Sequence, residues 1–259
     1  MQVNMNDPST QLLYSTAQVI AFTGKGYQFG TGVIVDIDRQ QNKTIPILVT
    51  NKHVIENSNC ITIRLHQLSN STLSTNSIDI EYEYSNFIIG SNLDLAFVLL
   101  APVLTMAIEQ EKKPFFKSIG EDLFLNNQRK EQLSAIEEII FIGYPRGLID
   151  KQSKLPIVRK GITATPIWNN FNNEPEFLVD AETFEGSSGS PVFIYNNGGY
   201  FNNGGIVVGV RIMFLGIISK TLKDSENTYL GLGHVINAMS ILEFIRQKLT
   251  EKQIIEFTQ

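Results

Sequence analysis

A single cysteine, Cys60, serves all 259 residues. One thiol cannot close an internal disulfide, so a packed core has to hold the fold, and such sparing cysteine use fits a reducing compartment. Long apolar runs are missing as well. Nothing approaches the ~18 residues that a membrane-spanning helix needs. The opening MQVNMNDPSTQLLYSTAQVIAF has no basic segment leading into an apolar stretch and a small-residue cleavage site. We therefore expect a cytoplasmic protein without membrane association. Basic surface is scarce too: 21 Lys and Arg stand against 26 Asp and Glu, giving a net charge of −5, and they do not cluster. That balance argues against nucleic acid as a partner, because such binding rests on cations displacing counterions. No cofactor and no metal are expected.

What is present is an ordinary globular composition, 42% apolar and 18% charged, enough for one large domain or two small ones. Strand-like runs dominate the first hundred residues, at 17–22, 31–37, 46–50, 60–66, 78–84 and 95–100. In the fifth, Ile78, Ile80, Tyr82 and Tyr84 alternate with Asp79, Glu81 and Glu83, the period of a sheet with one wet face. A second set falls at 138–142, 157–165, 176–181, 191–195, 212–219 and 229–236. Between the sets, 106–113 and 128–135 look locally helical, and 101–135 reads as a linker. The Asn- and Gly-rich stretch 196–205 reads as an exposed turn. Ile241, Leu242, Ile245 and Leu249 recur at helical spacing, predicting a C-terminal amphipathic helix packed on the body of the protein. The expected organisation is an N-terminal unit over 1–100, the linker, a second unit over 136–236, and a helix and tail over 237–259.

Hydrolysis by a serine needs a hydroxyl held against an imidazole, a carboxylate that fixes the imidazole, and N–H groups aimed at a developing oxyanion. Ser188 lies in Glu185-Gly186-Ser187-Ser188-Gly189-Ser190-Pro191 between two predicted strands, where Gly186 and Gly189 permit a tight turn. Of three histidines, His53 ends the buried run Ile47 to Thr50 and can be presented at a cleft. His66 continues the polar alternation of Thr62 and Arg64 and reads as solvent-facing. His234, after Gly231-Leu232-Gly233, reads as a packed histidine, with a pocket-lining place as the alternative. Asp94 precedes a fully apolar strand, an expensive position for a carboxylate without partners. The alternative is a strand cap in solvent.

These residues resemble the trypsin-like, chymotrypsin-fold serine peptidases, especially their disulfide-free bacterial branch. Gly30-Thr31-Gly32-Val33-Ile34-Val35 is similar to the family's glycine-flanked early strand, and Thr50-Asn51-Lys52-His53-Val54 to its histidine motif. Asp94-Leu95-Ala96 resembles the aspartate motif, Gly143-Tyr144-Pro145 the opening of the second barrel, and Gly186 to Pro191 the serine motif. The order His, Asp, Ser is the family's, with separations of 41 and 94 residues. The resemblance implies an all-β protein of two packed six-stranded antiparallel barrels with a C-terminal α-helix and a cleft site. It implies His53, Asp94 and Ser188 as catalytic residues and the N–H groups of Gly186 and Ser188 as an oxyanion hole. It also implies Ser219 as the serine that bonds the catalytic aspartate at the start of the substrate-pairing strand. Glu182, six residues before Ser188, falls on the wall of the primary pocket, where an acid favours cleavage after Arg or Lys. The alternative leaves Glu182 in solvent or paired with a neighbour such as Arg211.

Two departures from the family pattern stand out. Ser187 occupies the place of the acid that pairs with a freed N-terminal amine, so activation by N-terminal cleavage is not expected, and Phe184 and Pro191 are the anticipated anchors of the loop. Lys52 replaces a small residue before the histidine. The expected activity is that of a serine endopeptidase acting on peptide or protein substrates, and a regulatory protein partner is left open. A silent double-barrel peptide-binding module is the alternative. An alpha/beta hydrolase fits poorly, since Ser190 breaks its G-x-S-x-G motif at the fifth position.

Overall fold

The computed structural model describes residues 4–39, 43–69, 72–101, 104–105, 113–184, 186–202 and 204–252. The predicted helix at 106–113 lies, but for its last residue, outside them. The first sheet contains β1 (Thr16–Thr23), β2 (Gly26–Arg39), β3 (Lys43–Thr50), β4 (Ser58–Ser69), β5 (Thr72–Tyr82), β6 (Ile88–Ile89), β7 (Ala96–Leu99), β8 (Pro114–Phe115) and β9 (Ile119–Gly120). Its order is β5-β4-β1-β2-β3-β7-β6, with β8 against β4 and β9 parallel to β2. The six expected runs are present, and three two-residue strands join them. Two of these, β8 and β9, arise within the segment read as linker.

The second sheet holds β10 (Glu138–Gly143), β11 (Ile157–Thr163), β12 (Glu176–Asp180), β13 (Pro191–Asn202), β14 (Gly205–Lys223) and β15 (Tyr229–Asn237). It closes as an antiparallel barrel in the order β10-β11-β12-β15-β14-β13. The all-β architecture expected from the sequence is thus observed. One element is corrected. The stretch 196–205 is not an exposed turn but mostly strand, because β13 and β14, after a bulge between Val192 and Phe193, stay in register from Phe193↔Phe214 out to Asn202↔Gly205. They form a two-stranded ribbon projecting beyond the barrel. Of the segment at 128–135, only its start is helical, in the turn Asn127–Lys130.

Burial explains why the central strands are apolar at consecutive positions. In β2, Val33, Val35 and Ile37 enter one core while Ile34 enters another, and in β3 Ile47 and Val49 part from Leu48 in the same way. The Ile34 and Leu48 side fills the first sheet with Val19, Ile61, Ile63 and Ile80. The Val33 side is continuous with Phe141, Phe177, Phe193, Phe214 and Ile217 of the second barrel. Strands buried on both faces cannot alternate. The C-terminal helix, Ala238–Glu251, begins where the Asn237 side chain accepts from the Ser240 N–H at 2.8 Å. It buries Ile241, Phe244, Ile245 and Leu249, and the Phe244 ring meets Phe97 edge-on at 5.5 Å. The helix therefore closes the core shared by both sheets. No helix among the described residues is long and apolar enough to cross a membrane.

Candidate active site

β3 delivers its last residues to the junction of the two sheets and gives way at Asn51 to a single helical turn, Lys52–Ile55. That turn presents His53. Asp94 arrives from the loop between β6 and β7, and both of its carboxylate oxygens are committed to one residue. The His53 N–H donates to Asp94 Oδ1 at 3.0 Å, and His53 Nδ1 lies 2.6 Å from Oδ2. The Asn51 amide donates to the Asp94 carbonyl at 2.9 Å, and the Gln28 amide to the His53 carbonyl at 3.0 Å. With Nδ1 facing a carboxylate, the ring proton belongs there and Nε2 is left as an acceptor. His53 Nε2 is 2.9 Å from Ser188 Oγ. The His53 and Asp94 side chains are 40% and 35% exposed, so the acceptor is reachable from solvent. Lys52 turns to Glu56, at 3.8 Å.

Ser188 sits on a loop bent by Gly186 and Gly189, at φ +85° and +84°. Glycine is required twice over at 189: the left-handed backbone is strained for other residues, and a Cβ there would fall 1.8 Å from the Thr31 carbonyl oxygen. Internal bonds close the loop, from Ser187 N–H to the Phe184 carbonyl at 2.9 Å and from Ser190 N–H to the Ser187 carbonyl at 3.0 Å. On one side Gly189 N–H reaches the Ile218 carbonyl at 2.8 Å, and Ser188 Oγ approaches the Ser219 carbonyl at 3.2 Å. The N–H groups of Gly186 and Ser188 donate to no group among the described residues.

Thr31 of β2 holds the other side, and the sequence reading passed over it. Its N–H donates to the Ser188 carbonyl at 2.9 Å, and its hydroxyl to the Gly186 carbonyl at 3.3 Å. The same hydroxyl oxygen accepts from the Tyr144 N–H at 3.1 Å and from Ser190 Oγ at 3.2 Å. One buried residue of the first sheet thereby fixes the serine loop and the end of β10. The glycine-flanked Gly30-Thr31-Gly32 was the available signal.

Several expected placements are revised. The Ser219 hydroxyl does not reach Asp94; it donates to Glu176 Oε1 at 3.3 Å. Glu176 also lies 2.7 Å from His234 Nδ1 and 3.5 Å from Lys220 Nζ. Burial opposes the Glu176 charge, but the bonds from His234 and Ser219 and the Lys220 ammonium prevail, and its carboxyl titrates below the ordinary value. His234 is thus packed, as read, and its Nδ1 is hydrogen-bonded to Glu176 in addition. Glu182 is 74% exposed and faces Arg159 at 3.5 Å, so the surface pairing holds, with Arg159 in place of Arg211. Arg211 instead meets Glu137 at 2.6 Å, both 8% exposed. Ser187 is buried, with its hydroxyl oxygen 3.3 Å from the Phe184 N–H that it accepts. Pro191 heads β13, whereas Phe184 is 40% exposed and held between the guanidinium groups of Arg146 and Arg159, at 5.5 and 4.9 Å. His66 is not solvent-facing. It is 4% exposed, its ring lies edge-on to Tyr14 at 4.7 Å, and Nδ1 has no partner among the described residues.

Two β-sheet units with a serine, an imidazole and a carboxylate in series at their junction define the class of the trypsin-like peptidases. The chain belongs to that family: residues 30–209 match the model of the trypsin-like peptidase domain. Comparison with curated protein sequences finds no match. Among solved structures, the chain resembles the HtrA-type protease AlgW with a tripeptide, at 15% identity and a TM-score of 0.52, covering 94% of this chain and 62% of that one. It also resembles a serine endoprotease from Yersinia pestis, at 18% identity and a TM-score of 0.51, covering 96% of this chain and 67% of the other. The chain therefore spans less than two thirds of AlgW. At these identities the likeness concerns the fold, which is chymotrypsin-like.

Proposed function

We propose that the protein is a serine endopeptidase that works through an acyl-enzyme on Ser188. The observation that carries this reading is the unbroken series Asp94 Oδ2, His53 Nδ1, His53 Nε2, Ser188 Oγ, with separations of 2.6 and 2.9 Å at its two polar contacts. Ser188 Oγ attacks the scissile carbonyl as His53 Nε2 takes its proton, and the charge on the imidazolium is offset by Asp94. The free N–H groups of Gly186 and Ser188 receive the oxyanion. His53 then protonates the departing amine, and water repeats the sequence to release the acid. The acyl half of the substrate runs along β14 from Ser219, the side from which that strand approaches Ser188.

The test is labelling with a fluorophosphonate, which needs an activated hydroxyl. Ser188 is the expected site, His53→Ala abolishes labelling, and Asp94→Asn lowers peptide turnover by roughly 10⁴ with the fold retained. Full labelling of Ser188→Ala would refute the assignment. A wild type that binds peptides yet never labels would favour the silent binding module.

A further inference from the structure

A cavity of about 660 Å³ opens between Phe184, at the start of the Ser188 loop, and the segment that follows β10. Leu148, Ile149, Ile157 and Phe184 form its apolar wall, and Arg146, Lys151 and Arg159 contribute the charges. No Asp or Glu among the described residues lines it. Arg159 is partly satisfied by the carbonyl and carboxylate of Glu182, whereas neither Arg146 nor Lys151 makes an ion pair with a carboxylate among the described residues. With Glu182 set against Arg159, Arg146 and Lys151 leave the lining of this hollow positive in a chain of net charge −5.

The position of the hollow follows from the chemistry proposed for the site, on which this inference rests. The departing amine must lie next to His53, which protonates it. Gln28 holds the His53 carbonyl, and its neighbour Phe29 packs against Gly147, where a Cβ would come within 2.8 Å of the Phe29 ring. Gly147 borders the cavity. A chain leaving the scissile bond past His53 and Phe29 is therefore directed toward Arg146 and Lys151. We infer that this cavity selects substrates bearing an Asp or Glu within the first three residues after the cut. The apolar wall takes the side-chain stem, and the guanidinium and ammonium groups take the carboxylate as charge-assisted hydrogen bonds. Phe184 joins the cavity to the site, since it precedes Gly186 by two residues and carries both guanidinium groups on its ring.

The experiment uses a library of amidated peptides in which each of the three positions after the cut is Glu, Gln or Lys. Amidation removes the terminal carboxylate, and a parallel free-acid set ending in Gln tests whether that group is the true ligand. We expect kcat/KM for Glu to exceed that for Gln by about tenfold at one position, the worth of one charge-assisted bond at a partly exposed site. The ratio falls to about one in Arg146→Asn combined with Lys151→Gln, while fluorophosphonate labelling of Ser188 proceeds at the wild-type rate. Asn is chosen because Arg146 has φ +52°, which Asn tolerates. Should that variant fail to label, raising salt on the wild type decides instead: a ratio that collapses supports the site, and one that does not overturns it. Equal rates for Glu and Gln with normal labelling, or a preference confined to the free-acid set, overturn the acidic side-chain site alone. Absence of both labelling and cleavage in the wild type removes the peptidase reading and this inference with it.

Discussion

His66 shows how far a single side chain can depart from its pattern. Its alternation with Thr62 and Arg64 is real, but β8 pairs antiparallel with the end of β4, with Phe115 opposite His66, and Tyr14 meets the ring edge-on. Burial alone pushes its pKa from 6.5 down to about 4. The folded imidazole therefore stays neutral where the unfolded one charges. The stabilisation is complete above pH 6.5 and is lost as pH falls toward 4, amounting to on the order of 3 kcal/mol. His66→Phe should flatten this slope, measured as the difference between the two proteins' urea midpoints from pH 7 to 5. An unchanged slope would exclude His66 as its source. The residues legible in the sequence were those whose chemistry demands a type and an order, namely His53, Asp94 and Ser188. Thr31, Glu176 and the true partners of Ser219 and Arg211 were not, because each depends on contacts made across the sheets, which spacing does not encode.

At the scale of elements, the strands were readable wherever packing and pattern agreed, and the ribbon was misread because they did not. Asn and Gly favour turns, yet β13 and β14 carry their register through residues 196–202, the pairing having already been fixed in the barrel. The projecting part has no charged residue between 196 and 210, and Phe201, Ile206 and Val208 are 64%, 80% and 85% exposed. Little is buried there beyond the half-buried Tyr200 ring under Arg211, at 4.7 Å, so little stability resides there. Replacing 198–209 with Asn-Gly, which keeps Asn197 opposite Val210, should change unfolding free energy by no more than about 1 kcal/mol and leave Ser188 labelling intact. Light scattering should show less self-association, since two uncharged open edges are removed. A large loss of stability would show that the ribbon packs on something essential.

The molecule as a whole is organised around a junction that is both core and catalyst. Thr31→Val keeps the shape but strands the Tyr144 N–H and releases Gly186 and Ser190. We expect a stability loss of about 1–3 kcal/mol together with a fall in kcat on the order of 10², from misplacement of the serine loop. Equal loss of labelling and of fold would reduce Thr31 to a structural role, whereas kcat falling under conditions where the variant is fully folded marks it as a positioning residue.

The apolar core that runs from Val33 and Val49 into Phe193 and Phe214 without a break also governs how the protein comes apart. Separating the two sheets would expose that whole seam at once, so neither can open as an independent unit at low cost. Native-state hydrogen exchange should therefore find the amides of Thr31, in the first sheet, and Gly189, beside the second, exchanging with the same free energy as global unfolding. The site is then either whole or absent, and a population with one half melted and the other folded has no place in its equilibrium.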